Sequence, residues 1–207
     1  MSHYISHLSK DKKLKKLIDS REGFKLTKRK NICLYLCGSI MSQQLSTKVA
    51  AVIYDRFLKL YDGKKPTPEQ ILSTPAETFR SIGLSNAKSS YIHNVARFAI
   101  EIGMDVKILS RMNNEEVIDY LTQIKGVGRW TVEMLLMFAL GREDVFAIDD
   151  WGIQTAMRRL YKIDHSDKKK IKEDMIRIST KWSPYRTYGC LHLWQFKDNS
   201  PENNVHL

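Results

Sequence analysis

Nowhere in the chain do apolar residues run on for the eighteen or so positions that a membrane-crossing helix needs. The amino-terminal stretch MSHYISHLSKDKKLKKLIDS also has no apolar centre of the length a signal peptide carries. A soluble, unsecreted protein with no membrane partner is expected, cytoplasmic in a bacterium or nuclear in a eukaryote. Cysteine is scarce: Cys33, Cys37 and Cys190 are an odd number without a CxxC pair. That argues against a disulfide framework or a metal-binding cluster, and the apolar neighbours of Cys37 and Cys190 mark them as small core side chains. Period-two alternation, the mark of a half-buried strand, is absent, as are internal repeats and any structureless linker. Acidic residues are also few, with 23 Asp and Glu against 34 Lys and Arg in 207 residues, a net charge of +11. Such an excess points to a polyanionic partner but says nothing about chemistry.

What the chain does have is helix punctuation. Thr67-Pro68-Glu69-Gln70, Thr74-Pro75-Ala76-Glu77 and Asn113-Asn114-Glu115-Glu116 each place a capping residue three positions before Glu or Gln. In the first two, proline stands at the expected first helical position, where its missing N–H costs nothing. Gly63, Gly83 and Gly103 fall where helices should stop. These marks predict helices over 9–19, 29–41, 43–61, 68–73, 75–82, 86–102, 114–124, 129–140, 151–161, 167–181 and 184–196. The sets Ile153, Ala156, Met157, Leu160 and Ile171, Met175, Ile178, Trp182 each line one helical face and are expected to pack in the core. The tail from Asp198 to Leu207 is polar and expected to fray, and the three histidines of the amino-terminal half are expected on the surface. The fold class is therefore all-α. One domain of two helical lobes is expected: about 30–140 with a hairpin at 121–131, and 1–29 with 141–207.

The segment Leu121-Thr122-Gln123-Ile124-Lys125-Gly126-Val127-Gly128-Arg129-Trp130-Thr131 lies between two helical patterns. Gly126 and Gly128 permit a tight turn with positive φ and let another backbone come close. The helix that follows starts with outward-pointing N–H groups, an anion site suited to a DNA phosphate, and Lys125 and Arg129 add positive charge beside it. An ordinary interhelical turn explains a lone GxG equally well; the downstream sequence decides. Thr131 to Leu140 is almost wholly apolar, with Glu133 its only charge, and should run through the protein centre. Directly after it comes Glu143-Asp144-Val145-Phe146-Ala147-Ile148-Asp149-Asp150-Trp151-Gly152-Ile153, so a buried helix joins the phosphate clamp to an acidic pair opening the next helix.

Together with Ile40-Met41-Ser42-Gln43-Gln44-Leu45-Ser46, Trp182-Ser183-Pro184-Tyr185-Arg186 through Trp194, and the weaker Gly83-Leu84-Ser85 with Lys88, this pattern resembles the helix-hairpin-helix DNA glycosylases. The branch it resembles is that of the inducible 3-methyladenine DNA glycosylases. The resemblance covers roughly Ile32 to Trp194. It implies an active site in the cleft between the lobes, with Asp150, second of the acidic pair, as the catalytic residue. Trp130 stands where bifunctional relatives carry a Schiff-base lysine, so no imine can form, and a monofunctional enzyme that leaves an abasic site is implied. The resemblance makes Trp130, Trp194 and Met134 the base pocket, and Gln44, with Gln43 beside it, the plug that fills the space of a flipped nucleotide. Lys125, Gly126, Val127, Gly128, Arg129 and Thr131 become the DNA contact. The carbonyls of Thr122, Ile124 and Val127 become ligands of a monovalent cation, Na+ or K+, when DNA is bound; no other cofactor is implied, and no iron-sulfur cluster. Ala147 replaces the usual loop proline and Met134 a pocket aromatic, which leaves base preference open.

The expected partner is double-stranded DNA carrying alkylated purines of the 3-methyladenine or 7-methylguanine type, acted on by a monomer. A positively charged alkylpurine leaves without general-acid help, so the protein must expose the nucleotide, hold the base and stabilise a cationic sugar. Two alternatives stay open from the residues: a non-catalytic DNA-binding protein with the same hairpin, and a glycosylase of different base specificity. Either aspartate of the pair also suits an N-cap for the helix at Trp151, with Asp149 expected to carry more of the capping.

Overall fold

The structure is a computed structural model that describes residues 3–19, 23–164 and 166–199. The chain opens with α1 (His3–Leu8) and α2 (Lys12–Asp19). It continues through α3 (Ile32–Ser42), α4 (Thr47–Lys59), α5 (Pro68–Ser73), α6 (Ala76–Ser81), α7 (Asn86–Glu101), α8 (Val106–Leu109), α9 (Asn114–Leu121) and α10 (Arg129–Phe138). Then follow α11 (Trp151–Tyr161), α12 (Lys168–Ser179), one 3-10 turn (Thr180–Trp182) and α13 (Arg186–Asp198). No strand occurs among the described residues, so the all-α expectation holds. None of the described helices is long and apolar enough to cross a membrane.

Two of the three expected cap motifs form as capping boxes. Thr67 and Asn113 each accept the N–H three residues on, while Gln70 and Glu116 reach back to the N-cap N–H. The third does not form: Pro75, not Thr74, is the N-cap of α6, without a side-chain hydrogen bond. The Thr74 hydroxyl instead bonds the carbonyl of Gln70 at 2.8 Å and the hydroxyl of Tyr61 at 2.8 Å, so it closes α5. Gly63, Gly83 and Gly103 end their helices at positive φ, as expected.

The helix expected over 43–61 starts only at Thr47, because Ser46 caps it and Gln44 adopts φ +58. The expected 9–19 helix begins at Lys12, since the Asp11 carboxylate accepts the N–H of Lys13 and Leu14. Two short helices, α1 and α8, have no counterpart among the predicted elements. The helix expected over 184–196 runs on through Asp198, and the residues after Asn199 in the tail lie outside those described.

The chain divides into two compact units. One is Lys28–Leu140, in which α3 and α10 form the interior: α3 packs on α4, α7 and α10, and α7 also packs on α5 and α6. Along α10, Val132, Leu135, Leu136 and Met137 are fully buried, each worth about 1.5–3 kcal/mol relative to exposure. His93, expected on the surface, is half-buried in this unit, its Nε2 2.8 Å from the Thr74 carbonyl.

The other unit comprises the described residues up to Thr27 and those from Gly141 on. Here α13 packs against α2 and α11. Trp182 is fully buried and donates its indole N–H to Asp11. The α11 face of Ile153, Ala156 and Met157 is buried as expected, as are Ile171 and Met175 of α12. The ring of Tyr4 stacks on Tyr188 at 3.9 Å, which holds α1 in place. Cys33, Cys37 and Cys190 form no disulfide and are buried in their respective cores.

Candidate active site and DNA-binding hairpin

The hairpin joins α9 to α10 through a single turn, in which the Val127 N–H donates to the Ile124 carbonyl at 2.9 Å. Its third residue, Gly126, takes φ +104, which only glycine adopts freely. A Cβ there would lie 2.2 Å from Cγ of Tyr91, so the glycine also lets the turn seat on α7. Asn94 of α7 donates to the Lys125 carbonyl at 3.1 Å and fixes the same turn. Gly128 departs from the expectation. Its φ of −96 is open to any residue, and a Cβ there would meet nothing within 4 Å. Gly126 shapes the turn, whereas Gly128 leaves an outward face of bare backbone at the start of α10.

Gly128 is the N-cap of α10 and offers no side-chain acceptor. Val132 is the first residue whose N–H returns to the helix, to the Gly128 carbonyl, so the N–H groups before it are positioned for an anion. The side chains expected to help mostly face elsewhere. Arg129 is held by Glu115, with contacts of 2.8 and 2.6 Å, and by Glu133 at 3.1 Å. The two carboxylates hold its guanidinium pKa above the usual arginine range. Glu133 is 2% exposed, so Arg129 serves mainly to neutralise a buried carboxylate. The side chains of Thr131 and Val127 are buried, leaving backbone as their means of contact. Lys125 is exposed.

On the first turns of α10, Trp130 is 45% exposed and Met134, one turn on, is half-buried. The Tyr35 hydroxyl donates to the Met134 carbonyl at 3.2 Å. Gln43 and Gln44 lie on the loop between α3 and α4 rather than on a helix as expected. Lys88 fixes this loop. Its ammonium donates to the carbonyls of Met41 at 2.9 Å and Gln43 at 2.7 Å, and partial burial lowers its pKa. This use of Lys88 was not evident in the sequence, because its partners are backbone atoms more than forty residues away.

In the other unit, the loop ending at Asp150 is drawn tight. The Asp150 N–H donates to the buried Ala147 at 3.1 Å, and Gln154 donates to the Ile148 carbonyl at 2.8 Å. Asp150, not Asp149, is the N-cap of α11. Its Oδ1 accepts the Ile153 N–H at 2.8 Å, because the first helical residue is Trp151 and only the residue before it can reach that N–H. Asp149 instead pairs with Lys172.

The same Oδ1 accepts the indole N–H of Trp194 at 2.8 Å. Gly152 makes room for this bond: a Cβ there would lie 3.0 Å from Trp194 Cδ1 and 3.1 Å from Asp150 Oδ1. Gly152 escaped notice as a site residue, although a glycine in the first turn of a helix is itself a signal of close approach. Upstream, Asp144 is bound by Arg186 at 2.6 and 3.0 Å and by Ser183 at 2.8 Å. Burial would raise its pKa, but these partners hold it below the ordinary carboxylate range.

A hairpin with a bare helix N-terminus, followed at fixed sequence distance by a carboxylate capping the next helix, defines a helix-hairpin-helix DNA repair fold. A family model described as HhH-GPD superfamily base excision DNA repair protein matches residues 37–180, and the chain belongs to that superfamily. Its branch is that of the 3-methyladenine glycosylases. The chain is 36% identical over 186 residues to DNA-3-methyladenine glycosylase 1 of Schizosaccharomyces pombe, covering 89% of this chain and 80% of that protein. A crystal structure of a DNA-3-methyladenine glycosidase from Bacillus halodurans is 33% identical with a TM-score of 0.85, covering 100% of this chain and 97% of that one. The S. pombe 3-methyladenine DNA glycosylase in complex with abasic DNA is 33% identical with a TM-score of 0.81, covering 96% and 98%.

Proposed function

We propose that this protein is a monofunctional DNA glycosylase that takes alkylated purines, of the 3-methyladenine and 7-methylguanine type, out of duplex DNA. It hydrolyses the N-glycosidic bond and leaves an abasic site as a step of base excision repair, acting as a monomer. The observation that carries this reading is the Asp150 carboxylate, held by the α11 N–H of Ile153 and by the indole of Trp194.

An alkylated purine is already cationic, so the bond to the sugar breaks with little help from an acid. Asp150 supplies negative charge to the oxocarbenium-like sugar as the base departs, and orients the water that attacks it. The two hydrogen bonds on Oδ1 fix the carboxylate before reaction, so little reorganisation is needed. Trp130 offers an exposed aromatic face to the cationic base, beside Met134. Trp130 also stands where an amine would be required for strand cleavage, so the product is not nicked. Trp194 acts through Asp150 as well as at the pocket wall. Gln44, with Gln43 beside it, fills the gap left by the flipped nucleotide, on a loop that Lys88 holds.

The hairpin takes the DNA backbone at the N–H groups of Gly128, Arg129, Trp130 and Thr131, with Lys125 nearby. Thr122 is the C-cap of α9 and Ile124 closes the turn behind it. With Val127 they offer neutral carbonyl oxygens at the negative end of a helix dipole, a donor set suited to a hard monovalent cation rather than a transition metal. Na+ or K+ bound there would add positive charge for a phosphate.

The test is Asp150→Asn. Asparagine caps a helix as well as aspartate, so the variant should melt with the parent and bind DNA, while release of free 3-methyladenine from methylated DNA falls by orders of magnitude. Unchanged release would sink the catalytic assignment and favour a non-catalytic DNA-binding protein. A protein–DNA adduct trapped by borohydride would refute the monofunctional assignment.

A further inference from the structure

The unit formed by the described residues up to Thr27 and those from Gly141 on contains a pocket of about 540 Å³ that the chemistry proposed above does not use. It lies where α2 begins, beside Tyr161, the last residue of α11, and the 3-10 turn that follows α12. Its walls are the half-buried faces of Tyr161 and Ile178, backed by the buried Leu8 and Trp182. Ile178 belongs to the α12 face expected in the core, but here it borders open space instead. The rim is basic. Lys10, Lys12, Lys13 and Lys181 are all exposed there, and α2 continues the same charge through the exposed Lys15 and Lys16.

Asp11 is the one carboxylate in the lining among the described residues, and it is fully engaged. Its Oδ1 accepts the N–H of Lys13 at 2.9 Å and of Leu14 at 3.2 Å, and its Oδ2 accepts the Tyr161 hydroxyl at 2.7 Å and the Trp182 indole N–H at 3.2 Å. Burial would raise its pKa, but these partners hold it below the ordinary carboxylate range. The polar atoms of the floor therefore satisfy one another, and what remains for a guest is apolar surface. The rim is held in place as well. The Lys13 ammonium donates to the Tyr161 carbonyl at 3.2 Å and lies 5.2 Å from the centre of its ring, while Nε2 of His7 is 3.2 Å from the Lys181 carbonyl and ties the 3-10 turn to α1.

We propose that this pocket docks a protein partner through an acidic segment that carries one apolar anchor. The anchor, a leucine or phenylalanine side chain, enters between Tyr161 and Ile178, while carboxylates on either side of it pair with Lys10, Lys12 and Lys181. An apolar pocket inside a charged rim draws affinity from the buried anchor and selectivity from the complementary charge. Inorganic phosphate would use the lysines but gain nothing from the apolar walls. A purine would bring polar edges to a floor whose donors and acceptors are already paired. Asp150 and Tyr161 stand at opposite ends of α11, roughly 16 Å apart along its axis, so a partner held here leaves the Asp150 carboxylate open. The inference is independent of the reaction proposed for Asp150.

The test is fluorescence anisotropy of a labelled acidic nonapeptide with a central phenylalanine, titrated with the full-length protein at physiological salt. The peptide should bind, and the same peptide with serine at its centre should bind about tenfold more weakly, as expected for loss of one buried apolar side chain. The double variant Lys12→Glu/Lys181→Glu alters exposed side chains only. It should melt with the parent and bind the phenylalanine peptide about tenfold more weakly or worse. Lys64→Glu/Lys107→Glu makes the same change of charge on exposed residues of the other unit and should keep parental affinity. Equal affinity for the two peptides, or equal losses in the two double variants, would overturn the proposal, because net charge alone would then account for binding. So would displacement of the peptide by stoichiometric undamaged duplex DNA, by millimolar inorganic phosphate or by adenosine monophosphate, since the pocket would then belong to nucleic acid or to a small anion. Asp150→Asn should bind the peptide like the parent, which keeps failure of the docking proposal distinct from failure of the glycosylase reading.

Discussion

Two glycines separated by one residue should respond in opposite ways to the same methyl group. In Gly126→Ala the new Cβ would have to avoid a Tyr91 ring whose nearest atom lies 2.2 Å away, at a φ of +104. The backbone conformation alone costs alanine about 1–2 kcal/mol, and displacing a packed ring adds about 1–3 kcal/mol. With about 3 kcal/mol lost and a protein of this size shifting about 2–4 °C per kcal/mol, the melting temperature should fall by roughly 6–12 °C. In Gly128→Ala the methyl group meets nothing and φ is already allowed. Folding should lose only about 0.5–1 kcal/mol through the poorer N-cap. The methyl group would, however, stand beside the N–H groups offered to a phosphate. Loss of one hydrogen bond to a charged group, about 1.5–3 kcal/mol, corresponds to about 10–100-fold weaker DNA binding. Thermal melts and fluorescence anisotropy on undamaged duplex DNA would measure both effects. A Gly126→Ala protein that melts with the parent, or a Gly128→Ala protein with parental affinity, would refute the division of labour drawn above.

Arg129→Ala should destabilise the protein by about 2 kcal/mol by depriving the buried Glu133 of a counter-charge, and leave the salt dependence of duplex binding unchanged. A slope shallower by about 0.9 would mean that Arg129 meets a phosphate after all. Trp194→Phe keeps an aromatic face but removes the N–H held by Asp150. Single-turnover excision should slow by about tenfold or more with DNA affinity intact, and full activity would limit Trp194 to stacking. The pKa of Asp144 is depressed in the folded state, so its stabilising contribution is complete above the ordinary carboxylate value near ~4. It is lost as pH falls through the lower folded value. Denaturant melts from pH 6 down to about pH 2 should show stability draining away at the acid end, less steeply in Asp144→Asn; parallel curves for the two proteins would contradict this.

How much of the site was legible depended on the range of the interactions that make it. The turn at Gly126, the apolar run of α10 and the acidic pair are local patterns, and each forms where the spacing predicted, whereas Gly128 does not take the positive φ expected of it. The failures lie where a residue's partner is distant or its neighbour chemically identical. Arg129 beside a phosphate-binding turn reads as a DNA contact. Glu133, one helical turn away, was an available warning, but Glu115 on the preceding helix was not. Asp149 and Asp150 are indistinguishable as letters, and the cap fell to the one that the start of α11 placed within reach of Ile153. Gln43 and Gln44 continued a helical pattern, yet the Ser46 cap broke the helix after them and Lys88 held the loop from α7. The helix α1 has six residues and little signal of its own; the stack of Tyr4 on Tyr188 makes it worthwhile.

The sequence by itself determined the all-helical class, most helix starts, the hairpin and the acidic pair that opens α11, because periodicity, caps and glycine conformations act over a few residues and are written in order along the chain. Tertiary structure alone decided which charges were free to meet DNA, which aspartate capped α11, how Gly152 lets Trp194 reach Asp150, and that a basic-rimmed pocket opens beside Tyr161. Each of these depends on side chains that are far apart in the chain and come within a few ångströms only when burial of the two cores fixes their helices.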